Sequence, residues 1–206
     1  MESGSHKSGI VIGAVIIGLV VGGLGGWWVG AMNKDKMAND NSSQMSPQDG
    51  TMVGGALMVR EKDIVDNAMN AKNVTTLVDL VQKAELVDTL KGEGPFTVFA
   101  PNNDAFAKLD KATVDSLMKP ENKMMLQNIL TYHVVPGTYT SADLKVMAQK
   151  GEMLTSVQGE MLTPVMRDNM VMIGDAKGGM TKVQTADVIS SNGVTHVIED
   201  VLMPKN

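Results

Sequence analysis

PFTVFAPNNDAFAKL, residues 95 to 109, decides how this chain is read. Phe96 to Phe99 are strand formers, and Pro101 ends the run because proline has no amide to give a ladder. Asn102 or Asn103 then stands where a helix needs an N-cap, with a side-chain oxygen in reach of the amides that follow. Ala105, Phe106 and Leu109 recur at helical spacing and are expected to face inward. The segment therefore reads strand, turn, helix. All three phenylalanines of the chain fall inside it, which puts the centre of the core here.

Upstream, IVDNAMNAKNVTTLVDLVQKAELVDTLKG (64–92) carries two helical stretches, one through Ile64, Val65, Ala68 and Met69, the other through Leu77, Leu80, Val81 and Ala84. Thr75 or Thr76 is the expected cap of the second, with Asp79 in its first turn. Downstream, residues 113–117 are helical, and Pro120-Glu121 opens a further helix. Its expected buried stripe is Met125, Leu126, Ile129 and Leu130, and it must stop before Pro136-Gly137. Thr140 and Asp143 form a capping box for the next helix. After residue 150 the pattern changes to short alternating runs, MLTSV (153–157), EMLTPV (160–165), MVMI (170–173), KVQTADVI (182–189) and GVTHVI (193–198). Short intervals and glycine turns predict antiparallel sheet rather than βαβ units. Helices first and strands later make the fold class α+β.

The N-terminal quarter is different in kind. After a short tail, 1–9, residues 10–32 (IVIGAVIIGLVVGGLGGWWVGAM) carry no charge and reach about 34 Å as a helix, enough to cross a bilayer. Trp27 and Trp28 sit near its C-terminal end, where indoles favour headgroups. A permanent membrane anchor is expected, since the run exceeds the ~7–15 apolar residues of an export signal. The competing reading is cleavage after Ala31, in Val29-Gly30-Ala31, which would give a secreted protein. Gly18, Gly22, Gly26 and Gly30 form a small-residue stripe suited to self-association in a membrane. Residues 33–53 are polar and aperiodic, a flexible linker, and 54–206 form the folded domain. Asn41-Ser42-Ser43 and Asn73-Val74-Thr75 fit the N-glycosylation pattern.

Composition excludes several functions. The 206 residues carry 18 Lys and Arg against 23 Asp and Glu, and from residue 51 onward 15 against 19, with no basic stripe to track phosphates. Nucleic acid is not an expected partner. With zero cysteines there is no disulfide framework, thiolate metal site or cysteine nucleophile. No GxSxG elbow, P-loop, dinucleotide fingerprint or HExxH is present, so no enzyme, cofactor or metal is expected. In an alternating strand His196 and Glu199 would face opposite sides and not share an ion. With His6 in the tail, the domain has only His133 and His196. His133, in ILTYHVVPG (129–137), is read as a core imidazole near a helix end, held by a neighbouring group, ahead of a catalytic base or metal ligand. Eighteen methionines, with Met166, Met170 and Met172 close together, leave a second reading: a secreted or periplasmic protein binding a small molecule or copper through thioethers and His133. Methionine also simply fills cores.

Taken together, FTVFAPNNDAFAKL (96–109), ILTYHVVPG (129–137) and SNGVTHVIEDVLMP (191–204) resemble the fasciclin domain, and the helices of 54–95 fit its lead-in, especially in bacterial members. The resemblance spans roughly residues 54 to 204 and implies a β-sandwich wedge with helices along one side. It implies an exported, non-catalytic adhesion module that binds surface proteins, matrix or polysaccharide, with the domain on the extracytoplasmic side of the membrane. The motif positions are Phe96, Phe99, Asn102, Asp104, Phe106, His133 and His196, with a structural role implied for them. In animal members a Tyr-His pair and an Asp-Ile element are linked to integrin binding. The matching positions here are Tyr132 and His133, then Asp187 and Val188, with Val188 standing in place of the isoleucine.

Overall fold

A computed structural model describes residues 50–205. The apolar segment 10–32, its glycine stripe, Ala31 and most of the linker lie outside them. Among the described residues no helix is long and apolar enough to cross a membrane.

The described chain opens with a hairpin, β1 (Gly50–Val53) and β2 (Ala56–Val59), so ordered backbone begins within the stretch read as linker. Gly54 and Gly55 form its two-residue turn with φ of 56° and 79°, the paired positive values that tight hairpins require and that glycine adopts without strain. Three short helices follow, α1 (Ile64–Ala68), α2 (Thr75–Lys83) and α3 (Val87–Leu90), where two stretches were expected. Strand β3 (Phe96–Pro101) leads into α4 (Asn103–Ala107), then α5 (Lys111–Leu117), a 3-10 turn at Pro120–Asn122 and α6 (Lys123–Tyr132). Strand β4 (Val134–Pro136) and α7 (Ser141–Lys150) precede β5 (Leu154–Thr155), β6 (Met161–Arg167), β7 (Met170–Gly174), β8 (Met180–Ser190) and β9 (Gly193–Ile198).

The fold is α+β. Seven strands form one sheet in the order β4-β3-β9-β8-β7-β6-β5. β8 pairs with β7 through Met180–Lys182 and with β9 through Val183–Ser190, with two register shifts on the way. Such shifts bend and twist a strand, so β8 is shared by both halves of the sheet. The sheet nearly closes on itself: just past β5, the Val157 amide donates to the Val134 carbonyl of β4 at 2.7 Å. β5 to β9 are antiparallel, as their spacing predicted. The β3–β9 pair is parallel, a pairing that local pattern did not reveal.

That parallel pair lies between two apolar clusters. Val98, Ala100 and Val197 face the helices α1–α6, while Phe99 and Ile198 face the interior of the curled sheet with Leu144, Leu154, Leu162 and Ile173. Burial on both faces is why FTVFAP reads as a nearly continuous apolar run, and why Thr195 and His196 are buried together with the apolar residues of GVTHVI. Phe99 is fully buried, Phe106 nearly so, and Phe96 sits half-buried at the rim.

Two local readings are corrected. Val74, not Thr75 or Thr76, is the α2 N-cap, and Asp79 falls beyond the first turn. The Thr76 amide is instead met by the Asn103 side chain, 27 residues away, at 3.1 Å. Met125 is 59% exposed rather than buried, because the inward stripe of α6 runs through Leu126, Ile129 and Leu130, one position round the helix.

Candidate functional site

Tyr132 and His133 close α6, and the chain then turns straight into β4. Both side chains are buried and they meet edge to face, with ring centroids 6.4 Å apart. The Tyr132 hydroxyl donates to the Met161 carbonyl at 3.0 Å and accepts from the Ala176 amide at 2.8 Å. It thereby ties α6 to β6 and to the turn after β7. Burial pushes the phenol up to about 12.

His133 is equally committed. The Leu202 amide donates to its Nε2 at 3.0 Å, so that nitrogen must accept. The proton therefore sits on Nδ1, which donates to the Ile129 carbonyl at 2.8 Å. Burial drives the imidazole down to about 4, the Ile129 carbonyl opposing. A neutral ring with both nitrogens engaged has no lone pair for a metal and no proton to exchange. It joins the C-terminal segment to the end of α6.

The second pair lies on β8. Val188 is fully buried in the helix-side cluster. Asp187 has φ of 58°, a left-handed conformation that aspartate tolerates better than most residues. Its carboxylate accepts from the Ser141 amide at 2.7 Å and from the Ser141 hydroxyl, satisfying a free N–H in the first turn of α7. Thr140 and Asp143 complete that helix start with the capping box read from sequence. The Asp187 amide donates to His196 Nδ1 at 3.3 Å, so His196 carries its proton on Nε2 and donates to the Tyr139 carbonyl at 2.8 Å. Desolvation lowers the His196 pKa, and its ring stacks on Phe99. Thr97 holds the same connection from below, its hydroxyl donating to the Gly137 carbonyl and accepting from the Tyr139 amide. Asp187 and His196 are thus brought together around residues 137–141. Tyr132 and His133 bond elsewhere, to Met161, Ala176, Ile129 and Leu202.

The first signature behaves likewise. The Asn102 side chain accepts from the Ala105 amide at 2.7 Å, capping α4, and Asp104 stands exposed in its first turn, where the helix dipole favours an acid. Sequence reading missed two hydrogen-bonding hubs, the buried Asn67 and the partly buried Asn192. Asn67 exchanges hydrogen bonds with Val59 and donates to the Ser190 hydroxyl. Asn192 accepts from the Ile64 amide and donates to the Leu90 and Gly92 carbonyls. An asparagine inside an apolar helical run (IVDNA) is the one signal that pointed to Asn67.

The family model for the fasciclin domain matches residues 72–204. This chain belongs to the fasciclin domain family. Protein sll1483 of Synechocystis is 50% identical over 141 residues, covering 68% of this chain and 73% of that one. The cell surface glycolipoprotein MPB83 of Mycobacterium bovis is 33% identical over 167 residues, covering 79% and 70%. The FAS1 domain pair of the insect cell adhesion molecule Fasciclin I shares the fold, with a TM-score of 0.64 at 19% identity. That match covers 70% of this chain and 52% of the pair. The signatures of the fasciclin domain are, in this structure, its internal struts.

The copper reading does not gain a site from this fasciclin domain. In the β6–β7 register Met166 lies opposite Val171 and packs on the core, whereas Met170 and Met172 point from the other face, so the three thioethers do not converge. Among the described residues no group of three or more His, Asp or Glu is placed to hold a metal ion. Asn73 of the second glycosylation pattern has its side-chain oxygen buried beside the hairpin turn, where a Cβ on Gly54 would meet it at 2.3 Å.

Proposed function

We propose that this chain is a membrane-tethered, non-catalytic adhesion module whose fasciclin domain is held outside the cytoplasm. The observation that carries the reading is family membership, joined to 33% identity with a cell surface glycolipoprotein. The uncharged residues 10–32 supply the tether and the polar residues after them its reach. Binding is then a matter of exposed surface rather than of Tyr132, His133 or Val188, all of which are buried. A surface or matrix protein or a polysaccharide is the class of partner this fits. Self-association through Gly18, Gly22, Gly26 and Gly30 would raise avidity by presenting two domains together.

The chain has no cysteine, so a single Ser43→Cys variant reports topology cleanly. Intact cells of the native host are treated with a membrane-impermeant maleimide and then fractionated. The reading expects a labelled chain of full length in the membrane fraction. An unlabelled chain in intact cells that labels after lysis would overturn the external placement. A labelled chain found free in the medium and beginning at Met32 would replace the tether with secretion.

A further inference from the structure

We infer that the outward methionines of the folded domain consume hypohalous acid, each thioether becoming a sulfoxide while the fold stays intact. The inference does not depend on the adhesion reading. Among the described residues, every large hydrophobic side chain more than half exposed is a methionine: Met124, Met52, Met125, Met69, Met161 and Met153, from 83% down to 54%. In the buried apolar core of those residues, by contrast, Met58 is the one methionine among Val, Leu, Ile, Ala, Phe and Tyr. Methionine normally sorts with leucine and isoleucine to the interior, so the distribution here is inverted.

Neither packing nor local propensity accounts for it. An exposed side chain fills no cavity, and Met52 and Met161 lie on strands β1 and β6, where β-branched and aromatic residues are the better formers. What separates methionine from leucine at such positions is a soft, polarizable sulfur. Its lone pair attacks the halogen of HOCl, the Cl–O bond breaks and hydroxide leaves. Water then adds to sulfur, and chloride departs with two protons, one of which neutralises the hydroxide. The net change is thioether plus HOCl giving sulfoxide, chloride and one proton, with sulfur oxidised and chlorine reduced by two electrons. A small neutral oxidant needs access rather than a shaped pocket, so exposure itself makes the site. The chain has no cysteine, so no thiol of its own competes for the oxidant or is cross-linked by it. A sulfoxide is polar and disrupts a core, but at these six positions it meets water. The same exposure leaves it open to a methionine sulfoxide reductase.

The test is a titration of the full chain, held in nanodiscs of saturated phosphatidylcholine, with HOCl in the presence of N-acetyltryptophanamide as a bystander. Peptide mass mapping should find the six sites oxidised at least about tenfold faster than Met58. The thermal midpoint should then lie within about 3 °C of its starting value. A variant carrying Met→Leu at all six positions alters only side chains that face water, and its loss of bystander should begin six equivalents of HOCl earlier than in the wild-type chain. If that variant loses its native circular dichroism, Met124→Leu with Met125→Leu alone should bring the onset forward by two equivalents. Methionine sulfoxide reductase with dithiothreitol should return the six sites to thioethers. Bystander loss that begins at the same point in wild type and folded variant would overturn the inference. So would oxidation of Met58 in step with the surface sites, unfolding once the six are sulfoxides, or sulfoxides that the reductase cannot reach.

Discussion

Replacing His133 with phenylalanine should produce a stability defect that shrinks as the solution is acidified. At pH 7.5 the wild-type ring is neutral in both folded and unfolded chains, so it has no proton-linked effect there. The variant then loses what the ring supplies structurally: the Leu202 amide, bonded to Nε2, is left buried without an acceptor. That costs about 1–3 kcal/mol. Below pH 6.5 the unfolded wild-type histidine takes up a proton, while the folded ring, lowered to about 4, does not. The unfolded state then binds more protons, so wild-type stability falls as pH falls from 6.5 towards 4. Working the linkage at pH 5 gives a loss of about 2 kcal/mol from this residue. Phenylalanine does not titrate, so the gap between variant and wild type should narrow by about 2 kcal/mol between pH 7.5 and pH 5. Asp66 and Asp143, whose carboxyls are held low by Lys91 and by Thr140, lose their contribution only at more acid pH. His196 acts in the same direction in both proteins and cancels in the difference. Urea unfolding followed by far-ultraviolet circular dichroism at the two pH values measures it. A gap that stays constant, or a variant as stable as wild type at pH 7.5, would refute the buried, doubly bonded imidazole.

Further outcomes follow from the same geometry. Tyr132→Phe removes the donor to Met161 and the acceptor for Ala176 without changing ring volume, and should cost about 1–3 kcal/mol in the same urea assay. Gly193→Ala should be worse, about 3 kcal/mol or more, because at its φ of 155° a Cβ would lie 1.9 Å from the Phe96 carbonyl oxygen and force apart the start of the β3–β9 ladder. Asp187→Ala should cost about 1–2 kcal/mol by leaving the Ser141 amide without its acceptor, with the Thr140 capping box intact, while Asp187→Asn, which keeps an acceptor and tolerates left-handed backbone, should cost less than half as much. Faster amide exchange at Ser141 in the alanine variant would accompany that loss.

Much of the fold was legible because its cues were local. Asn102 ahead of DAF and Thr140 three residues before Asp143 are caps that need only neighbouring amides, and both form as read. The strands after residue 150 announced themselves by period and turn. The errors share a different cause. Thr75 looked like a cap, but Asn103 reaches across from another element to meet the α2 amides, an outcome no local window holds. Met125 sits one residue off a stripe whose phase is fixed by packing on the sheet. The Gly54-Gly55 turn between TMV and ALMV was a hairpin signal, passed over because the first strand is only four residues long and follows directly on the polar run that ends at Gly50. The β3–β9 pairing joins residues almost a hundred positions apart, and its parallel sense is set by topology. At the candidate site, burial of the Tyr-His pair followed from its apolar flanks. That Asp187 meets the Ser141 amide at the start of α7 and that His196 bridges to Tyr139 depended on the fold.

The measurement that bears most directly on the account is attachment of cells displaying the full chain, compared with cells displaying Tyr132→Phe and Asp187→Asn, each normalised to the folded fraction at the surface. If Tyr132 and Asp187 act through the fold, attachment per folded domain stays at the wild-type level in both variants. A folded variant that no longer attaches would show that a partner reads those side chains directly.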